Sequence, residues 1–93
     1  MQITVHLEAQ LRQAAQTSRL VLDLADGAVL ETLLQHSEFQ QKPELLSRLT
    51  NSSGGFHSSV LIFLNDQPVP SPVEHQLLSD GDQILLLPPI SGG

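Results

Sequence analysis

A chain of 93 residues with 40% hydrophobic content and no internal repeat is sized for one hydrophobic core rather than two. Ten acidic against four basic side chains give a formal net charge of −6, and the cations Arg12, Arg19, Lys42 and Arg48 are scattered, which excludes a nucleic-acid footprint because phosphate binding needs clustered Lys or Arg. Cysteine is absent, which excludes disulfides, thiolate metal sites, a catalytic thiol and any persulfide carried on this chain.

Taken in chain order, Gln2 to Leu7 alternates, with Ile3, Val5 and Leu7 on one side and Gln2, Thr4 and His6 on the other, as a half-buried strand does. Its polar start also lacks the basic flank and apolar block of a signal peptide, and no run of about 20 apolar residues follows, so the expectation is a soluble, cytoplasmic protein without membrane contact. Glu8 to Gln16 turns to helix formers (Ala9, Leu11, Ala14, Ala15), and Ser18 to Leu24 resumes alternation through Leu20, Leu22 and Leu24, so the first two strands can pair as a hairpin. Asp26 is placed to cap a main helix in which Val29, Leu30, Leu33, Leu34 and Ser37 keep helical spacing. Pro43 suits the first turn of a second, shorter helix with Leu45, Leu46 and Leu49 inward.

Asn51-Ser52-Ser53-Gly54-Gly55 has no apolar period and is expected to be a flexible surface loop, with Phe56 anchoring its far end. Ser59 to Leu64 is a β-type run stopped by Asn65-Asp66, and Pro68 to Pro72 disfavours a long central strand after it. The turn Asp80-Gly81-Asp82 leads into a last strand, Gln83 to Leu87. This order predicts an α+β domain over residues 1–87, with a mixed sheet of four to five strands and one main helix packed on one face; residues 88–93 form a separate flexible tail. A central pairing of the first and last strands would suit a β-grasp, but periodicity does not decide the topology.

The third and last strands are apolar on both faces. With Val60, Ile62, Leu64, Ile84 and Leu86 inward, Leu61, Phe63, Leu85 and Leu87 point outward, joined on the second strand by Val21. Either loops cover this second face, or it is a docking patch for a partner. Beyond it, Pro88 and Pro89 donate no backbone hydrogen bonds, so they stop the ladder and favour an extended chain at about 3.1 Å per residue. The six residues Pro88, Pro89, Ile90, Ser91, Gly92 and Gly93 would then project roughly 15 to 20 Å. Gly92 and Gly93 have no side chains, so the terminal carboxylate can pass a channel barely wider than backbone. A carboxylate is a poor acyl donor until it is activated.

Leu87-Pro88-Pro89-Ile90-Ser91-Gly92-Gly93, preceded by Asp80-Gly81-Asp82-Gln83-Ile84, resembles the end of the MoaD/ThiS family of ubiquitin-like sulfur carriers. Val60-Leu61-Ile62-Phe63-Leu64-Asn65-Asp66 and Leu11-Arg12-Gln13-Ala14-Ala15 are similar to further segments of that family, so the resemblance covers essentially the whole chain. It implies a β-grasp fold and a chain that is a cosubstrate, not an enzyme. It further implies that an E1-like adenylyltransferase uses ATP with Mg²⁺ to adenylate Gly93, and that sulfur converts the adenylate to a thiocarboxylate. No stably bound cofactor is implied. Pro88, Pro89, Ile90 and Ser91, with the patch of Leu61, Phe63, Leu85 and Leu87, would meet the partner. The acceptor would be the large subunit of molybdopterin synthase, in a heterotetramer, or another sulfur acceptor such as those of cysteine or thiamine biosynthesis. Leu87 departs from the aromatic residue typical before the double proline in the molybdopterin branch. A protein modifier joined to lysines through Gly93, and a binding module that uses only the sheet face, are the rival readings.

Independent catalysis and metal binding find no support. His6, His36, His57 and His75 lack paired ligand spacing, Gly54-Gly55 is not followed by the lysine of a phosphate loop, and no base is positioned for Ser91. Asp80 and Asp82 flank Gly81 as turn residues rather than as an acid/base pair.

Overall fold

The computed structural model describes residues 1–88. The expectations for Pro89, Ile90, Ser91, Gly92 and Gly93 therefore lie outside the described residues.

Strand β1 (Gln2–Leu7) buries Ile3, Val5 and Leu7 completely and turns Gln2, Thr4 and His6 to the other face. Helix α1 (Ala9–Ala15) carries Leu11 and Ala15 into the core and stops at Gln16, whose left-handed φ of 60° reverses the chain. Strand β2 (Arg19–Asp23) then pairs antiparallel with β1, with Leu20 and Leu22 buried. The predicted hairpin forms with its helical connection.

The main helix expected from Asp26 does not form as one piece. A 3₁₀ helix covers Leu30–Gln35, a four-residue helix α2 covers Ser37–Gln40, and α3 covers Pro43–Leu49. Asp26 caps nothing; its carboxylate lies 3.9 Å from the Met1 ammonium, and Gly27 turns the chain at a φ of 85°. Val29 is held extended in a bridge to Leu77, and the Leu30 N–H donates to the Gln76 carbonyl, so the first helical donor already has a distant partner. At the far end His36 leaves helical geometry, and its Nδ1 accepts from the Glu38 N–H at 3.0 Å, which starts α2 afresh. Of the expected stripe, Leu30, Leu33 and Leu34 face the core, since a three-residue period also stacks positions three apart, whereas Val29 is only partly buried and Ser37 is exposed because the 3₁₀ helix has ended before it. Leu45 and Leu49 of α3 are fully buried, and Leu46 packs at the margin.

The Asn51–Gly55 segment is tied by one carboxamide. Asn51 Oδ1 accepts from the N–H groups of Ser53 and Gly55, and its Nδ2 donates to the Phe56 carbonyl. Phe56 is buried, as an anchor would be. Strand β3 (Leu61–Leu64) ends at Asn65 and Asp66, with φ of 49° and 71°, the positive-φ pair that a two-residue hairpin turn requires. The chain returns as β4 (Gln67–Pro68), a two-residue edge strand that tolerates a proline. Strand β5 (Gln83–Leu87) closes the described fold.

The sheet order is β2-β1-β5-β3-β4, with β1 and β5 parallel at the centre and every other pair antiparallel. The fold is α+β and ubiquitin-like, a five-stranded mixed sheet whose helices build the core with one face of it.

Asn65 also fastens β3 to the entrance of β5. Its Oδ1 accepts from the Gln83 N–H at 2.9 Å and its Nδ2 donates to Asp82 Oδ1 at 2.9 Å, while Asp82 Oδ2 accepts from the Ser79 N–H at 2.7 Å. Asp80 Oδ1 accepts from the Gln2 N–H at 2.7 Å, so both aspartates shape the turn. Asn65→Ala should cost about 1–2 kcal/mol through lost hydrogen bonds and a positive φ without glycine or asparagine. Asn65→Gly, which keeps the φ, should cost less, and urea midpoints of the two variants check the order.

Candidate functional site

The open face of the sheet is legible from the register. Leu61 on β3 lies opposite Leu87 on β5, and Phe63 lies opposite Leu85. Their neighbours Ile62 and Leu86 are buried, so these four side chains share the face away from the helices. Leu61 is 42% exposed, and Phe63, Leu85 and Leu87 are partly exposed. Among the described residues, loops therefore do not close over this face, and the four predicted residues come together as one patch.

Val21 does not join it. It pairs with Thr4, and Thr4 pairs with Gln83, so two polar positions separate Val21 from Leu85 and Leu87. Val21 is exposed but isolated, because strand order places polar β1 between β2 and β5. Leu77, 64% exposed and overlooked in the sequence, lies in the segment before β5, where its neighbour across the chain is Val29. It gave no signal there because two adjacent leucines, Leu77 and the buried Leu78, flanked by polar residues have no period that tells which of them faces out.

One border of the patch is polar. His6 pairs with Leu85 in the parallel register, and its Nε2 lies 2.7 Å from Gln83 Oε1. With Phe63, Asn65, Asp66 and Glu8 these residues line an open concavity of about 460 Å³. His6 was assigned to a polar face but not to a site; knowing that β1 and β5 are parallel neighbours would have placed it.

The patch continues to the root of the tail. Leu87 is the last strand residue, and Pro88 follows it on the helix side, beside Leu11, Arg48 and His57. The domain thus brings an apolar face and the start of the tail to one end of β5. Among the described residues no three His, Asp or Glu side chains come together as metal ligands, and no helix is long and apolar enough to cross a membrane.

Comparison with known proteins fits this arrangement. The model of the ThiS family matches residues 5–93. The molybdopterin synthase sulfur carrier subunit of Chlamydomonas reinhardtii is 31% identical over 93 residues, covering 100% of both chains. Among solved structures, SAMP1 from Haloferax volcanii superposes with a TM-score of 0.87 at 22% identity over 100% of both chains, a likeness of fold. Small archaeal modifier protein 1 from Methanosarcina acetivorans gives a TM-score of 0.79 at 30% identity over 99% of this chain and 96% of the other.

Proposed function

The chain belongs to the ThiS family of small ubiquitin-like sulfur carriers, and from that premise we propose that it carries sulfur as a thiocarboxylate on Gly93 and serves as the small subunit of molybdopterin synthase. The Gly93 carboxylate attacks the α-phosphorus of ATP on an E1-like adenylyltransferase, expelling pyrophosphate and leaving an acyl-adenylate. A sulfide-level nucleophile attacks the acyl carbon and expels AMP, which leaves a C-terminal thiocarboxylate. The adenylyltransferase supplies the Mg²⁺ and the groups that stabilise these displacements. The thiocarboxylate then enters the large subunit of molybdopterin synthase, which takes the sulfur. The chain itself contributes position: an apolar face to dock and a carboxylate on a side-chain-free end.

The observation that carries this reading is the placement of Leu61, Phe63, Leu85 and Leu87 on the open face at the strand that leads into Pro88. The full-length relative from Chlamydomonas, named as a molybdopterin synthase sulfur carrier subunit, supports this acceptor over those of cysteine or thiamine synthesis. Incubation with the adenylyltransferase, ATP and a sulfur source should change the intact mass by one oxygen-to-sulfur exchange. No exchange with an enzyme that is active on its own carrier would refute the reading.

The 30% identity to a small archaeal modifier protein favours one second reading, in which activated Gly93 is joined to lysine amines of other proteins. Under conjugating conditions it predicts branched Gly-Gly remnants on target lysines after proteolysis; their absence removes it.

A further inference from the structure

The surface concavities of the described residues differ in what lines them. The one on the open face includes Glu8 and Asp66, another includes Glu31, and a third includes Asp23. The groove at the root of the tail, about 340 Å³, has no carboxylate in its lining. It gathers Gln10 from α1, Ser47 and Arg48 from α3, and His57 and Ser59 from the segment before β3, with Pro88 at its edge. On a chain of net charge −6, the described lining of this groove thus carries a cation, Arg48, and no carboxylate; the Ser47 hydroxyl is already used, donating to the Glu44 carbonyl at 2.8 Å, which leaves Gln10, Arg48 and His57 as the donors.

Two of these donors have defined settings. His57 Nδ1 accepts from the Ser59 backbone N–H at 3.1 Å and lies 2.6 Å from Ser59 Oγ, so in the neutral ring the proton belongs on Nε2. The His57 backbone N–H donates to the Leu49 carbonyl at 2.6 Å, which holds the residue against the end of α3. Arg48 Nη2 lies 3.5 Å from Glu44 Oε1, with the two side chains 48% and 69% exposed. A pair this open to water is weak, and the remaining guanidinium N–H groups can serve another acceptor.

We propose that this groove is a second docking point, separate from the apolar sheet face, and that it receives a carboxylate side chain from the rim of the adenylyltransferase pocket that takes the tail. The inference rests on the proposed function, since it needs a partner into which the tail is threaded. Leu87 faces the open side of the sheet and Pro88 the helix side, so a partner surrounding the tail meets both surfaces. The donor set calls for an anion, and a guanidinium favours a carboxylate or a phosphate. The phosphate of the adenylate is a poor match for this groove, because Gly93 is five residues past Pro88 in sequence, a span of about 15 Å for a chain drawn out into a partner. A partner carboxylate is left, and the groove offers it the Arg48 guanidinium without a carboxylate in its described lining.

The test measures the dissociation constant of the chain for its adenylyltransferase at low and high salt, together with pyrophosphate release from ATP at saturating carrier. Arg48→Gln, which keeps helix propensity, should weaken binding roughly three- to tenfold, and Arg48→Glu more, with the difference shrinking as salt rises. Pyrophosphate release at saturation should not change. Lys42→Gln removes the same charge at the other end of α3 and should bind as the wild type does. Unaltered affinity of Arg48→Gln would overturn the proposal. So would inorganic phosphate that shifts the amide resonances of Arg48 and His57 while Arg48→Gln still binds the enzyme normally, because the groove would then be a small-anion site. A wild-type chain that binds the enzyme but releases no pyrophosphate from ATP would sink the proposed function and this inference with it, whereas a failure confined to Arg48 leaves the function standing.

Discussion

Removal of Gly92 and Gly93 is expected to abolish sulfur loading and leave the fold untouched. Among the described residues the buried core ends with Leu86 and the sheet with Leu87, and the truncated chain keeps both, so the urea midpoint should stay at the wild-type value within error. The chemistry responds differently. With Ser91 as the last residue, the reactive carboxylate is withdrawn by two residues, about 6–7 Å, and carries a side chain on its own α-carbon. Attack on the α-phosphorus requires the reacting atoms within about 3.5 Å and aligned, and misplacement by 1 Å costs on the order of 100-fold. Activity should therefore fall below detection in a single-turnover assay of pyrophosphate release and in the intact-mass assay of thiocarboxylate. A companion variant with one extra glycine after Gly93 keeps the side-chain-free end but moves the carboxylate by about 3.3 Å, and it should fail almost as completely. A truncated chain that is still adenylated would show that Gly93 is not the acceptor. If the truncated chain keeps its full biological activity, the working part of the molecule is the sheet face, as in a binding module.

Much of the fold was legible because alternation and burial are local signals. Ile3, Val5, Leu7, Leu20 and Leu22 point inward as their alternation requires, and Ile62, Ile84 and Leu86 follow the parity assigned to them. The segment from Asp26 to Gln40 was less legible for a tertiary reason. The Leu30 N–H is satisfied by Gln76 and Val29 is bridged to Leu77, partners nearly fifty residues away that no window around Asp26 can contain. His36 gave a second local competitor, a ring nitrogen that caps α2 in place of continuing the turn. The site followed the same division. Leu61, Phe63, Leu85 and Leu87 were readable from strand parity, whereas the exclusion of Val21 and the placing of His6 beside Leu85 needed the order β2-β1-β5-β3-β4. The groove at Arg48 and His57 joins a helix to a loop and has no signature in spacing.

Neighbouring residues on β3 allow the docking face and the core to be separated in one experiment. Leu61 is 42% exposed on the open face, and Ile62, 6% exposed, points into the core. Leu61→Asp places its carboxylate in water in the free chain, so stability should change by about 1 kcal/mol or less through strand propensity. On docking, the same carboxylate must be buried in an apolar contact without a partner, opposite Leu87 and close to the tail root. The expected loss is about 2 kcal/mol or more in affinity for the adenylyltransferase, roughly thirtyfold in Kd. Ile62→Asp instead places a charge among Val5, Leu49 and the other members of the buried cluster. A cost of several kcal/mol is then set against a total stability of about 5–15 kcal/mol, and the chain should be largely or wholly unfolded by circular dichroism. Because the two substitutions are chemically identical and one residue apart, a binding defect in Leu61→Asp with a wild-type unfolding transition can be assigned to the face itself. Wild-type affinity in that variant would remove the open face from the docking surface while leaving the chemistry of Gly93 untouched.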